Sequence, residues 1–160
     1  MKLLIIAFGF FAVFLSGCKK EGSEKHTQRS SIKIDKNGDL WSESRVVGTF
    51  NAKDSMVSII GQEGLETFTI RFPKPILNGN LISFDATSSF APAIGAASIS
   101  DFYNIDATKD NRLRIYVTDN LKNRIAGEFY LHLKRDERYG TGDTNVYKGK
   151  FDLELEDLSF

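Results

Sequence analysis

Histidine and cysteine are scarce in this 160-residue chain, which holds two of the first and one of the second. A lone cysteine closes no internal disulfide. With His132 the one histidine beyond residue 31, the usual Cys/His zinc site has no ligand set. Nucleophilic catalysis, which needs a nucleophile with a base beside it, is left with little to use. Net charge is missing too. Lys and Arg number 21 against 21 Asp and Glu, so no overall field draws in nucleic acid or an anionic membrane surface. The chain also lacks any apolar run of spanning length. Residues 3–15 form an unbroken run of about thirteen, short of the roughly 20 that cross a bilayer as a helix.

That short run is informative by its position. Lys2 gives it a positive start, and Leu15-Ser16-Gly17-Cys18 ends it with small residues before a cysteine. This order is the layout of a secretory signal peptide. The ending resembles the lipobox of bacterial lipoproteins, in which the cysteine is lipidated and becomes the mature N-terminus. A single cysteine in a secreted chain is otherwise a free thiol or an intermolecular bridge; the residues before Cys18 favour lipidation. Residues 1–17 are therefore expected to be a signal peptide. Losing Lys2 with it leaves the mature chain at about −1. Residues 18–31 contain no large apolar side chain and are expected to form the lipidated N-terminus and a flexible tether, with His26 a solvated linker residue. Lys19 after the cysteine lacks the aspartate that resembles an inner-membrane retention signal. Lysines followed by Glu21 resemble, in part, a surface-export signal.

From Ile32 the dominant period is two, and residues 32–160 read as one β domain large enough for its own core. Ile32 and Ile34 alternate with polar residues, and Lys36-Asn37-Gly38-Asp39 is a turn that supplies positive φ cheaply. Residues 40–50 read as a second strand, and Val57 with Ile59 mark a third. Phe68, Ile70 and Phe72 face inward on a fourth, which Pro73 and Pro75 end. Asn78-Gly79-Asn80 turns into a strand at 81–84. Residues 85–97, rich in Ser, Ala, Gly and Pro, read as an irregular crossover, and 98–105 as a short strand. The last third carries three period-two runs: Leu113, Ile115 and Val117; Ile125, Gly127, Phe129, Leu131 and Leu133; and Tyr147, Gly149, Phe151, Leu153 and Leu155. These predict an antiparallel meander. The expected fold is an all-β antiparallel sandwich of about eight strands, with a closed β-barrel as the alternative.

Register in the meander follows from pairing bare backbone with rings. Gly127 opposite Phe151 and Phe129 opposite Gly149 let each phenylalanine lie across a glycine. The same register sets Glu128 opposite Lys150, Arg124 opposite Glu154 and Arg114 opposite Glu128, so opposite charges meet outside. On the other side, Leu113 pairs with Phe129 and Val117 with Ile125.

Several pieces resemble a family of small, uncharacterised β-rich lipoproteins of Gram-negative envelopes. They are Asn37-Gly38-Asp39-Leu40-Trp41, residues 112–119, Asn123-Arg124-Ile125-Ala126-Gly127-Glu128-Phe129, and Tyr147-Lys148-Gly149-Lys150-Phe151. The resemblance covers most of the chain after Ile32. It implies location and fold class, and it carries no catalytic residue.

Candidate chemistry is thin. His132 alternates outward with a lysine two positions on and reads as a surface residue. Asp106, Asp110 and Asn111 share one turn, and Asp35, Asn37 and Asp39 another; calcium uses such oxygens, but Asp and Asn are also what any turn prefers. Most of the 13 phenylalanines fall on inward positions. Tyr116 and Tyr130 fall outward on neighbouring strands and are the candidate contact residues for a glycan or an envelope protein. Glu63, Glu66, Glu154, Glu156 and Asp157 read as solvated faces. No catalytic, cofactor or metal residue is assigned, and no nucleic-acid partner is expected. The expected function is that of a lipid-anchored outer-membrane or cell-surface protein acting by binding or as a structural module. The alternatives are a lipocalin-like carrier of a small apolar ligand and a carboxylate-based hydrolase.

Overall fold

The computed structural model describes residues 31–42, 46–74, 78–81 and 83–158. The signal segment, Cys18 and the tether up to residue 30 lie outside the described residues. Strands run in the order β1 (Ser31–Lys36), β2 (Asp39–Ser42), β3 (Val46–Asn51), β4 (Met56–Glu63), β5 (Glu66–Pro73), β6 (Gly79–Leu81), β7 (Asp85–Phe90), β8 (Asp101–Ile105), β9 (Arg112–Asp119), β10 (Arg124–Arg135) and β11 (Thr144–Asp157). A single 3-10 turn, Glu137–Tyr139, is the one helical element among the described residues. No helix there is long and apolar enough to cross a membrane.

All eleven strands belong to one mixed sheet with a sandwich-like arrangement. Its first stretch runs β2-β1-β11-β10-β9-β6, and its second runs β3-β4-β5-β7-β8. The two long strands make the corners. The end of β10 pairs with β8 through residues 133–135, and the end of β11 pairs with β3, in parallel, through 155–157. Inward side chains of the two stretches meet between them. Phe68 of β5 stacks on Tyr147 of β11 at 4.6 Å between ring centroids and lies 5.6 Å from Phe129 of β10. Around these rings Ile34, Ile59, Ile70, Leu131, Leu133 and Leu153 are fully buried. At about 25 cal/mol per Å² of apolar surface removed from water, such a core needs no covalent staple.

The meander forms as alternation predicts, and its register follows the glycines. Gly127 opposes Phe151, Phe129 opposes Gly149, Glu128 opposes Lys150 and Arg124 opposes Glu154. A Cβ added to Gly149 would sit 2.6 Å from the ring tip of Phe129 and 2.5 Å from the Lys33 carbonyl oxygen, so the ring occupies the place of the missing side chain. The Asn37-Gly38 turn has φ of 54° and 96°, the two positive values a type I′ hairpin turn requires.

Five expectations change. The strand expected at 81–84 is β6, Gly79–Leu81, so Gly79 and Asn80 of the expected turn pair with β9 instead. Leu113 opposes Phe129 and Arg114 opposes Glu128, but Ile125 faces Thr118 and not Val117. Between Gly127 and Ala126 the partner steps from Ile115 to Val117, so Tyr116 is the extra residue of a β-bulge. The bulge reverses the alternation beyond it and leaves Val117 exposed. Residues 40–50 are two strands: β2 hairpins back on β1, whereas β3 pairs with β4 and β11. The crossover at 85–97 contains a strand, β7, whose inward residues Ala86 and Ser88 are too small to show as an apolar alternation. Finally, Glu66 is buried.

Candidate functional site

Glu66 opens β5 immediately after a two-residue turn at Gly64-Leu65, in phase with Phe68, Ile70 and Phe72. Period two therefore carries its carboxylate inward, and only 4% of the residue is exposed. Four donors converge on it. Lys36 Nζ (2.8 Å) and Trp41 Nε1 (2.6 Å) donate to Oε2. Ser88 Oγ (2.5 Å) and the Tyr147 hydroxyl donate to Oε1. Three of the donors arrive by the same parity rule: Lys36 follows Ile32 and Ile34, Tyr147 precedes Gly149 and Phe151, and Ser88 follows Ala86; Trp41 is the extra residue at a register shift between β1 and β2. Lys36 also lies 4.7 Å from the Phe90 ring centre, and Trp41 packs edge-on against Phe68 and Tyr147. Burial, then the bond to Glu66, pushes the Tyr147 phenol well above its ordinary range. A carboxylate with both oxygens held by strong donors has no lone pair aimed at a reactant. This centre ties β1, β2, β5, β7 and β11 together at one end of the sandwich.

The opposite situation holds outside. Outward residues of β1, β11, β10, β9 and β6 line a concavity of about 810 Å³ on the outer face of the first stretch. Its side chains form two rows set by register. In one, Lys33 opposes Lys150, Lys150 opposes Glu128, Glu128 opposes Arg114, and Arg114 opposes Asn80. In the other, Asp35 opposes Lys148, Lys148 opposes Tyr130, and Tyr130 opposes Arg112. Five cations thus face two acids. Arg112 is held by Asp110 and Arg114 lies over the Tyr116 ring at 5.3 Å. Lys33, Lys148 and Lys150 have no ion pair or side-chain hydrogen bond among the described residues.

The two candidate tyrosines are both outward and about two-fifths exposed, Tyr116 at 39% and Tyr130 at 40%. Tyr130 stands in the concavity, with His132 edge-on at 5.0 Å. Tyr116 sits on the bulge beyond Arg114, and its interaction with the Glu128 carboxylate raises its pKa. His132 is only half-exposed; its Nδ1 is buried without a partner among the described residues.

The turn carboxylates are engaged locally. Asp106 accepts from the Thr108 hydroxyl (2.7 Å) and amide (3.0 Å), which lowers its pKa. Asn111 donates to the Asp106 carbonyl and accepts from the His132 amide, at 2.8 and 2.7 Å. In the other turn Asn37 accepts from the Val146 amide, and Asp35 lines the concavity. Among the described residues no three His, Cys, Asp or Glu side chains gather as a metal set. Glu63, Glu154, Glu156 and Asp157 are exposed, as expected. The residues missed from sequence are Glu66 and the three groove lysines. Parity with Phe68 was the available signal for the first, and the strand register for the others. No family model, curated protein or solved structure matches the chain.

Proposed function

We propose that the chain is a lipid-anchored protein of the outer membrane or cell surface that acts by binding, through the concave outer face of β1, β11, β10 and β9. The lipobox-like Leu15-Ser16-Gly17-Cys18 supports the anchor. Each acyl CH₂ placed in the bilayer contributes about 0.8 kcal/mol, so several chains hold the protein essentially permanently. The resemblance to β-rich envelope lipoproteins points to the same location. One observation carries the binding function: three lysines with no partner among the described residues flank a half-exposed ring in a concavity. Binding from outside is favoured over carriage inside because stacked Phe68, Tyr147 and Phe129 fill the space between the two stretches.

Two linked measurements test this. Cells expressing the wild type should incorporate labelled palmitate into the protein, and Cys18→Ala should abolish incorporation. A photo-crosslinking residue at Tyr130 in the lipidated chain should capture an envelope component, whereas the same residue at Lys53, on the exposed 52–55 turn, should not. Palmitate retained by Cys18→Ala, or equal capture at both positions, overturns the proposal.

A further inference from the structure

We infer that the groove takes an acidic polysaccharide, with a sugar ring laid on Tyr130 and carboxylates of uronate units on Lys33, Lys148 and Lys150. This inference rests on the binding function proposed above and names the class of its ligand. Charge is its first support. The chain is neutral overall, yet the groove gathers five cations against Asp35 and Glu128. Arginines elsewhere have their carboxylates: Arg124 has Asp152, Arg135 has Asp101 and Asp143, and Arg138 has Asp136. Among the described residues the groove lysines have no such carboxylate, which leaves them for an anion from outside.

Shape narrows the anion. A planar bilayer surface cannot reach the floor of a concavity, but an extended polymer lying along it can. The strands of the floor decide between polymers. Here β1 is paired on both edges, by β2 and β11, and β9 by β10 and β6; β11 and β10 pair with each other and with their outer neighbours. β2 covers β1 over residues 34–36 and β6 covers β9 over 113–115, so an acidic peptide lying on this face meets main chain that is already paired over most of the floor, and loses the bonds that strand addition at an edge supplies. Recognition has to come from side chains. The side chains offered are separated cations and one flat ring, which match the separated charges and apolar ring faces of a uronate chain. Tyr130 stands between Lys148 and Arg112, with the His132 ring perpendicular to it at 5.0 Å.

The test is calorimetric titration of the mature lipidated chain in detergent micelles. Its probes are an oligogalacturonate, the same oligomer methyl-esterified to remove its charge, poly-glutamate, and an oligothymidylate. The oligogalacturonate should bind, with affinity falling as salt rises, and the other three should bind at least about tenfold more weakly. Lys148→Gln with Lys150→Gln should weaken the uronate by roughly tenfold or more and flatten its salt dependence. Tyr130→Ala should weaken it comparably, and Tyr130→Phe, which keeps the ring, should not. Poly-glutamate or oligothymidylate binding as tightly as the uronate overturns the inference, as does an unchanged Tyr130→Ala or no uronate binding at all. If uronate fails while the crosslink at Tyr130 still forms in the envelope, the binding function stands and the ligand class falls.

Discussion

Two polar regions lie on opposite sides of β11, within a few residues of each other in sequence. Tyr147 points inward to Glu66, and Lys148 points outward into the groove. The inner region is buried, and every strong donor there has found the one carboxylate. The outer region is exposed, and its lysines have found none among the described residues. A buried charge without a partner costs several kcal/mol, so the fold must complete the inner set itself. An exposed lysine is satisfied by water at little cost and can wait for a ligand. The contrast separates what holds the molecule together from what it has available to bind.

The contrast breaks most readily at Glu66. Replacing it by alanine leaves Lys36, the Trp41 indole, Ser88 and the Tyr147 hydroxyl facing an empty space. The expected cost is about 3–5 kcal/mol, the range for stranding one member of a buried pair. Urea unfolding followed by Trp41 fluorescence reads it as a lowered midpoint. A loss under about 1 kcal/mol would mean that water reaches the centre, and the inner region would then differ little from the outer one. The double variant Lys36→Met with Glu66→Leu should recover part of the loss, because it removes the charge along with its partner.

A smaller effect, confined to alkaline solution, sharpens the same point. Tyr147 is held neutral in the fold, so its folded pKa lies above the ordinary value of about 10. Below that pH neither state has lost the proton and the full stability is present. As pH rises past 10 the unfolded chain ionises first, and stability falls by about 1.4 kcal/mol per pH unit until the folded phenol follows. Tyr147→Phe should lower stability at neutral pH by about 1 kcal/mol, for the lost hydrogen bond. It should also flatten the fall above pH 10. Thermal melts of both proteins from pH 8 to 11 check this, and parallel slopes would show that the phenol is not the group responsible.

How much of this was legible in the sequence depends on side-chain size more than on position. The meander register was readable because Gly127 and Gly149 each demand a ring opposite, and Phe151 and Phe129 supply one. The bulge at Tyr116 left no trace, since an extra residue in a strand keeps its composition and changes only its phase. Strand β7 was missed because Ala86 and Ser88 pack inward without looking apolar. Glu66 was misplaced for the reverse reason. Its charge suggested solvent, while its parity with Phe68, Ile70 and Phe72 already pointed inside. Where residue type and parity conflict next to a turn, parity prevails if the neighbouring strands bring enough donors, and those donors lie 22 to 81 residues away in the chain. The same distance hides the groove, whose rows join β1 to β11 and β9.

The smallest expected effect on stability belongs to the outer region, and its smallness is the point. Lys148→Gln with Lys150→Gln should shift the unfolding midpoint by no more than about 0.5 kcal/mol in equivalent stability, because both side chains are exposed. Lys150 stands opposite Glu128 and Lys148 opposite Asp35, so the removed cations take with them at most a weak, salt-screened attraction. Removing two of five cations packed on one face also relieves their mutual repulsion, which offsets that loss. Urea midpoints at low and at high salt measure both contributions. A loss above 1 kcal/mol that fades with added salt would show that the lysines hold the sheet through its acids. The outer region would then be a second structural network, with the same task as the inner one. Stability unchanged at both salt concentrations leaves the lysines with no task inside the fold, and it lets a loss of affinity in the same variant be read as loss of contact with a ligand.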